Sequence, residues 1–177
     1  MRFDEFVIER AISVFPADQA PGCEVQVALP PGWDPYDSAP GVALWVCRSD
    51  PLANEFCANA VLTMHRVEAV LDCGAVFAML ADQQLQSVPG CRERSRQLTA
   101  AEEGSGVAGT LAMEFGHEFG PLDSICRSRI MPMKQETLIV QLTTSVLRDS
   151  AVVREPIRLT VRTDVTAMEA EADHGSR

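Results

Sequence analysis

The sequence predicts an α+β fold in which a mostly antiparallel sheet is flanked by helices. In residues 92–146 apolar side chains recur at every second position, as at Leu111, Met113 and Phe115. Alternation of this kind is typical of a sheet that is packed on one face and wet or charged on the other. In residues 72–88 the apolar spacing changes to three and four, which is the pattern of an amphipathic helix.

The N-terminal part of the chain is predicted to form a short helix, an extended leader and three strands. Apolar residues at helical spacing place the helix over 3–12, and two prolines interrupt the leader at 15–22. The first strand alternates and ends at Pro30, because proline cannot donate to a sheet ladder. The second is apolar on both faces, which is typical of a strand covered on both sides. The three strands are predicted at 23–29, 42–48 and 58–67.

The second half is predicted to contain one long helix and a meander of four strands. Asp72 is the expected N-cap of a helix over 73–88, which Pro89 and Gly90 end. Turn residues separate the four strands that follow. These strands are predicted at 91–102, 107–119, 122–133 and 136–147.

The last element, residues 150–166, is predicted to be a helix. Pro156 and three threonines disfavour a helix there, but one apolar stripe supports it. The stripe recurs every four positions, at Val153, Ile157, Val161 and Val165. Residues 1–167 are interpreted as one domain, and the acidic residues 168–177 as a disordered tail.

Length and charge limit the class of protein. A chain of 177 residues suits one domain and buries roughly 70% of its unfolded surface. A net charge of −10 and a pI near 4.7 argue against a nucleic-acid binder, since phosphate contacts need a basic surface. No segment approaches about 18 uninterrupted apolar residues, so no membrane span is expected.

The cysteines are interpreted as reduced, buried side chains of a cytoplasmic protein. None belongs to a C-x-x-C pair, so neither a zinc ribbon nor a thioredoxin-type site is expected. Residues 1–6 carry acidic groups where a signal peptide has a basic and then an apolar run, which disfavours the alternative of a disulfide-bonded secreted domain. The six cysteines are Cys23, Cys47, Cys57, Cys73, Cys91 and Cys126.

A glycine motif at residues 104–109 matches G-x-G-x-x-G. This pattern binds a dinucleotide only where a strand precedes it and a helix follows, so that the pyrophosphate meets the helix N-terminus. Here the pattern after Thr110 is that of a strand, so a hairpin turn is the favoured interpretation. No cofactor site is expected.

Two histidines and one cysteine are the remaining candidates for chemistry. Alternation places His117 and His65 on apolar faces, which favours hydrogen-bonded core or rim residues over a general base or metal ligand. A site assembled from His65, His117 and a cysteine stays open, but no spacing demands it. Cys126 lies near Asp123, yet alternation directs the two side chains to opposite faces, which disfavours thiol catalysis.

Charged residues in three neighbouring strands form the candidate partner-binding site. Alternation places the arginines of two strands on either side of the glutamates of the strand between them. The pattern predicts either a solvated ion-pair ladder, with about 0.2–1 kcal/mol per pair, or a face that grips a charged partner segment through bidentate arginine contacts. The residues are Arg92, Arg94 and Arg96, then Glu114 and Glu118, then Arg127 and Arg129.

The order of elements resembles the LpqN/LpqT-type family of actinobacterial proteins. The resemblance rests on Leu29-Pro30-Pro31-Gly32-Trp33, on the helix that ends in Pro89-Gly90 and on Glu136–Thr143, and it covers about residues 3–166. It implies a PsbP-like fold, an α/β/α sandwich. Members are often lipoproteins with a signal peptide and an acylated cysteine. This sequence shows neither pattern, and that departure from the family favours a cytoplasmic relative. Proteins of the wider fold are mostly binders, and the family supplies no catalytic residue.

The function predicted from these observations is a non-catalytic cytoplasmic protein-interaction module, such as an adaptor or a secretion-type chaperone. Its expected partner is another protein, and a homodimer is compatible with the sequence. The alternative is a binder of a small apolar ligand or lipid in a pocket between sheet and helix. The methionines proposed to line that pocket are Met64, Met79, Met113 and Met131.

Overall fold

The computed structural model describes residues 1–152 and 157–163, and within them a central antiparallel sheet lies between two helices and a two-stranded ribbon. The predicted α+β class with a mostly antiparallel sheet is confirmed. The elements in chain order are α1 (Phe3–Glu9), β1 (Val14–Pro16), β2 (Cys23–Ala28), β3 (Trp33–Ala39), β4 (Val42–Cys47), β5 (Asn59–Val67), α2 (Cys73–Ser87), β6 (Arg92–Ala100), β7 (Val107–His117), β8 (Gly120–Pro132), β9 (Thr137–Leu147) and β10 (Arg158–Thr163).

The sheet combines two halves that meet at β9. Its strand order is β3-β4-β5-β9-β8-β7-β6, and β1 pairs with the end of β5. The predicted meander forms β6 to β9, whose neighbours in sequence are neighbours in the sheet. Helix α2 carries the chain from β5 to β6 at the far edge, and β9 returns to pair with β5.

Both helices pack on one side of the sheet, which we call the helix side. The Asp72 carboxylate accepts a hydrogen bond from the backbone N–H of Ala75 at 2.7 Å, so Asp72 is the N-cap predicted from the sequence. Helix α2 buries Val76, Phe77, Leu80 and Ala81. These side chains and Phe3 of α1 pack on Val67, Ile130 and Ile139 at one end of the sheet and on Leu111 and Met113 at the other.

The other side of the sheet carries a ribbon in which β2 pairs with β10, and we call it the ribbon side. Here the structure corrects the helix predicted over 150–166, since residues 158–163 form a strand. A spacing of four is a multiple of the strand period of two as well as close to the helix period, so Ile157 and Val161 fit both patterns. Val153, Pro156, Val165 and the predicted tail lie outside the described residues.

Strand β3, which the sequence pattern did not predict, is an edge strand that is exposed along most of its length. It lacks the alternation of a half-buried strand because Trp33 is its only buried residue. Pro35 and a register shift between Pro35 and Asp37 interrupt its pairing with β4. Such irregularities protect a sheet edge from pairing with another chain.

Candidate interaction surface

The ribbon covers one half of its side of the sheet and leaves the other half open. Leu138, Val140 and Leu142 of β9 pack beneath it with Met64 of β5. We call the uncovered surface of β6, β7 and β8 the open half-face. Strand registers assign to it Arg92, Ser95, Gln97 and Thr99 of β6, Ala108, Thr110, Ala112 and Glu114 of β7, and Asp123, Ile125 and Arg127 of β8, with Arg94 beside Glu114.

A cleft of about 310 Å³ lies where the open half-face meets the ribbon. Its floor includes Ala108 and Thr110, and Arg127 contributes a positive charge. Its wall includes Leu159 and Val161 of β10 but no residue of β2, so β10 stands between β2 and the cleft. This wall was not predicted, because the apolar spacing of these residues indicated a helix.

A cluster of four charged residues lies at the far end of the open half-face. Arg94 Nη1 is 3.1 Å from Glu114 Oε2, and Arg148 Nη2 is 2.8 Å from Asp123 Oδ1. Arg148 also donates to Glu114, so it bridges the two acids. Hydrogen bonds from Arg148 to Asp123 and Glu114 raise the pKa of its guanidinium. Arg148 follows β9 directly and lies outside the strand pattern, which is why the sequence did not point to it.

The predicted Arg–Glu–Arg ladder across three strands is therefore corrected. The strands are adjacent in the predicted order, but the residue of β8 opposite Glu114 is Asp123, and Arg127 lies opposite Thr110. Arg148 takes the place that the sequence analysis gave to an arginine of β8. Glu118 lies in the turn between β7 and β8 and is exposed, so it does not belong to the open half-face.

Arg96 lies on the helix side, against the prediction that it shares a face with Arg92 and Arg94. A register shift between Glu93 and Ser95 inserts one residue into β6, and a one-residue shift reverses the side to which every later side chain points. Arg96 Nη2 lies 3.0 Å from Asp82 of α2 and 2.8 Å from Glu93. Its role is to tie the edge strand to the helix.

Arg129 is a buried structural residue rather than a partner contact. It has 7% of its surface exposed. Its guanidinium donates to four backbone carbonyls, those of Glu103 at 2.8 Å, Ser105 at 2.7 Å, Val107 at 3.2 Å and Ile130 at 3.1 Å. Burial lowers the pKa of Arg129. These bonds hold the loop between β6 and β7, which forms one end of the cleft.

The glycine motif is a hairpin, as predicted. Gly104 and Gly106 lie in the loop between β6 and β7 with φ of 72° and 91°, and Gly109 lies within β7. A strand follows the loop, so no helix N-terminus is present to receive a pyrophosphate.

The two histidines do not converge. Across the sheet, His65 pairs with Ile139, which pairs with Ile130, which in turn pairs with Val107 of β7. His117 lies ten residues further along β7 than Val107. At the rise of a strand, this separation is roughly 30 Å. His117 lies at the rim, with its ring centroid 5.4 Å from that of Phe56. Burial lowers the pKa of His65.

The described cysteines are all unpaired thiols, as predicted, but only Cys47 and Cys126 are buried and the other four are partly exposed. Cys126 is buried on the helix side, where its sulfur accepts from the amide of Gln84 at 3.2 Å, and Asp123 lies on the opposite side. Burial raises the pKa of Cys23, Cys57, Cys73 and Cys91, which favours the unreactive protonated form.

The four methionines do not share a pocket. Met64 and Met131 belong to the core beneath the ribbon, whereas Met79 and Met113 pack on the helix side. Met64 instead lines a groove of about 430 Å³ beside the turn between β3 and β4.

The described residues contain neither a cluster of metal ligands nor a helix that could cross a membrane. No group of three or more His, Cys, Asp or Glu side chains in residues 1–152 and 157–163 could hold a metal ion. In the same residues, neither helix has the length and apolar character needed to cross a membrane.

Comparison with solved structures supports the fold that the sequence resemblance implied. The crystal structure of LpqN, a Mycobacterium tuberculosis protein described as involved in cell-envelope biogenesis, matches this chain with a TM-score of 0.67 and 16% identity. The match covers 97% of this chain and 92% of LpqN. The chain therefore has an LpqN-like fold, while the wider PsbP-like assignment stays a prediction.

Two more distant structures also match. A protein from Bacteroides thetaiotaomicron has a TM-score of 0.45 and 11% identity over 78% of this chain and 44% of that one. A protein of unknown function from Pseudomonas aeruginosa has a TM-score of 0.34 and 15% identity over 92% of each chain. No family model and no curated protein matches the sequence.

Proposed function

We propose that this chain is a non-catalytic interaction module that holds a partner protein against its open half-face. The observation that carries the proposal is the cleft between this face and β10. An antiparallel sheet can leave one face to water without any function. A strand edge that overhangs an uncovered floor is a more specific arrangement, because it offers both backbone and side-chain contacts. This floor combines the small side chains of Ala108 and Thr110 with Arg127 and Arg129.

The charges around the cleft favour an acidic partner segment. Arginine forms bidentate contacts with carboxylates, and this chain is strongly acidic elsewhere. The arginines that line or border the surface are Arg92, Arg94, Arg127, Arg148, Arg158 and Arg162. The acids are Glu114 and Asp123 within it and Glu102 and Glu103 at the loop end. Glu24 of β2 also lies opposite Arg162, so among the described residues these six arginines and five acids give +1, in a chain of net charge −10.

The proposal includes the absence of catalysis and a reducing compartment. The absence of catalysis is supported by the separation of His65 from His117 and by the protonated state that burial favours for four thiols. The reducing compartment is supported by the unpaired thiols of the described cysteines. The structural neighbour LpqN is described as involved in cell-envelope biogenesis. We therefore propose that the partner takes part in assembly of the cell envelope. In this process the chain would act as an adaptor or a chaperone.

The charge-reversed variant Arg94→Glu/Arg127→Glu tests the proposed function. Affinity capture from a lysate of the source organism should yield a partner with the unchanged protein. The variant should capture at least tenfold less of this partner, which corresponds to a loss of about 1.4 kcal/mol of binding free energy. The reason is that both substitutions place negative charge where an acidic segment binds. Quantitative mass spectrometry of the captured proteins gives the ratio.

A matched control carries the same change in net charge on other surfaces. Arg10→Glu/Arg48→Glu alters two exposed arginines, one at the end of α1 and one after β4. Its capture should equal that of the unchanged protein. Equal capture by both double variants would reject the open half-face as the binding surface.

A further inference from the structure

Two residues of β10, Leu159 and Val161, direct their backbone N–H and C=O groups toward the cleft. Opposite residues of an antiparallel pair alternate between those that exchange hydrogen bonds and those that do not. Cys23 lies opposite Thr163, but its amide donates to the Ala20 carbonyl at 3.0 Å. Cys23 and Thr163 therefore form a pair that does not exchange hydrogen bonds. By alternation, the residues of β10 that exchange hydrogen bonds with β2 are Arg158, Thr160 and Arg162.

The peptide groups of Leu159 and Val161 consequently face away from β2. Both residues line the cleft. Within the part of the chain that the structure describes, β10 pairs with β2 alone, so this second edge has no strand beside it. A row of unpaired backbone donors and acceptors is a template for another strand.

The floor beneath this edge leaves room for a further strand in the ribbon layer. Under the ribbon the sheet presents large side chains, among them Leu138 and Leu142. Beside the ribbon it presents Arg127 and Arg129 of β8, and beyond them the small side chains of Ala108 and Thr110 of β7. An added strand would cover these small side chains with its inward residues.

The outer surface of β10 indicates the chemistry of the occupant. Arg158, Thr160 and Arg162 are exposed there. On a shared face of an antiparallel pair, opposite charges on neighbouring strands attract. On β2, Glu24 lies opposite Arg162, whereas Ala28 lies opposite Arg158. On the other side of β10, acidic residues at alternate positions of an added strand would lie beside both arginines.

We propose that the partner binds as an extended segment that adds a third strand to the ribbon, alongside β10, with small apolar side chains inward on Ala108 and Thr110 and acidic side chains outward beside Arg158 and Arg162. This inference rests on the proposed function, and it specifies how the partner binds. Affinity comes from main-chain hydrogen bonds to Leu159 and Val161, and selectivity comes from the alternating side chains.

The probe is the peptide acetyl-Glu-Val-Glu-Val-Glu-Val-Glu-amide, titrated into the full-length, isotope-labelled protein. Saturable shifts of the Leu159 and Val161 amide signals are expected. An analogue with N-methylated valines keeps every side chain but removes alternate N–H donors, and the peptide in which lysine replaces glutamate reverses the charge. Each should bind at least about tenfold more weakly.

Several results would overturn strand addition while leaving the proposed function standing. One is equal binding of the N-methylated peptide together with loss of binding in Arg94→Glu/Arg127→Glu. Another is no peptide binding below about 1 mM while lysate capture still depends on those arginines. Failure of both the peptide and the capture would remove both proposals.

Two other occupants of the edge are distinguished in the same experiment. If the chain dimerises in the absence of the peptide and the dimer shows the same amide shifts, the edge binds a second copy of the chain and the proposal is overturned. Residues 168–173 alternate apolar and acidic side chains as well. If the full-length variant Glu169→Gln/Glu171→Gln/Asp173→Gln binds the peptide more than about tenfold tighter, the chain's own C-terminal segment is the occupant and the proposal fails.

Discussion

Replacing Gly109 by alanine should lower the free energy of unfolding by about 3 kcal/mol, because the new methyl group has no space between sheet and helix. A Cβ atom on Gly109 would lie 2.3 Å from Cε2, 2.5 Å from Cδ2 and 2.8 Å from Cζ of Phe77. Phe77 is buried in α2, so its ring has little free space into which it could turn away from a new methyl group. The small residue at 109 thus sets how closely α2 approaches the sheet.

Urea denaturation of Gly109→Ala and Gly116→Ala measures this effect with a matched control. Gly116 lies on the same strand, and a Cβ there would meet no atom within 4 Å. Gly116→Ala should change stability by less than about 0.5 kcal/mol. Adding Phe77→Leu to Gly109→Ala should recover part of the loss, since the two residues are in contact. Equal stability of the two alanine variants would contradict the packing described here.

Replacing Arg129 by methionine should cost about 3 kcal/mol, because its guanidinium is the donor for four carbonyls. Methionine fills a similar volume but leaves those carbonyls short of a partner. The loop between β6 and β7 should also exchange its amide hydrogens faster, since two of the four bonds are to Glu103 and Ser105.

Arg94→Met is the control for this substitution. Arg94 has 61% of its side chain exposed and makes a surface ion pair, so its loss should cost no more than about 1 kcal/mol. Denaturation and hydrogen exchange together check both parts of the prediction. A cost for Arg129→Met equal to that for Arg94→Met would show that the carbonyl contacts do not stabilise the loop.

Strand alternation and the helical stripe predicted most of the fold because burial on one face repeats along each element. Residues 92–146 gave four neighbouring strands, and residues 73–88 gave the helix on their apolar side. The ribbon strand β10 escaped prediction because four-residue spacing fits both a helix and a strand. The local pattern cannot decide between them where the partner strand, β2, is far away in sequence.

The candidate site was predicted only in part, for two physical reasons. The register shift between Glu93 and Ser95 moved Arg96 to the helix side, and such a shift leaves no mark in the sequence pattern. Arg127 and Arg129 share a strand face as predicted, yet the hairpin loop covers one of them. Which half of a face is covered depends on how the ribbon docks, and that is a property of the whole chain.

Site-specific photo-crosslinking tests the central claim most directly. A photoreactive amino acid at Thr110, on the open half-face, is compared in native lysate with one at Thr143, which is also half-buried but lies on the helix side. The protein is expected to form a defined crosslinked product with another protein from Thr110 and none from Thr143. A crosslink from Thr143 alone, or from both positions equally, would contradict binding at the open half-face.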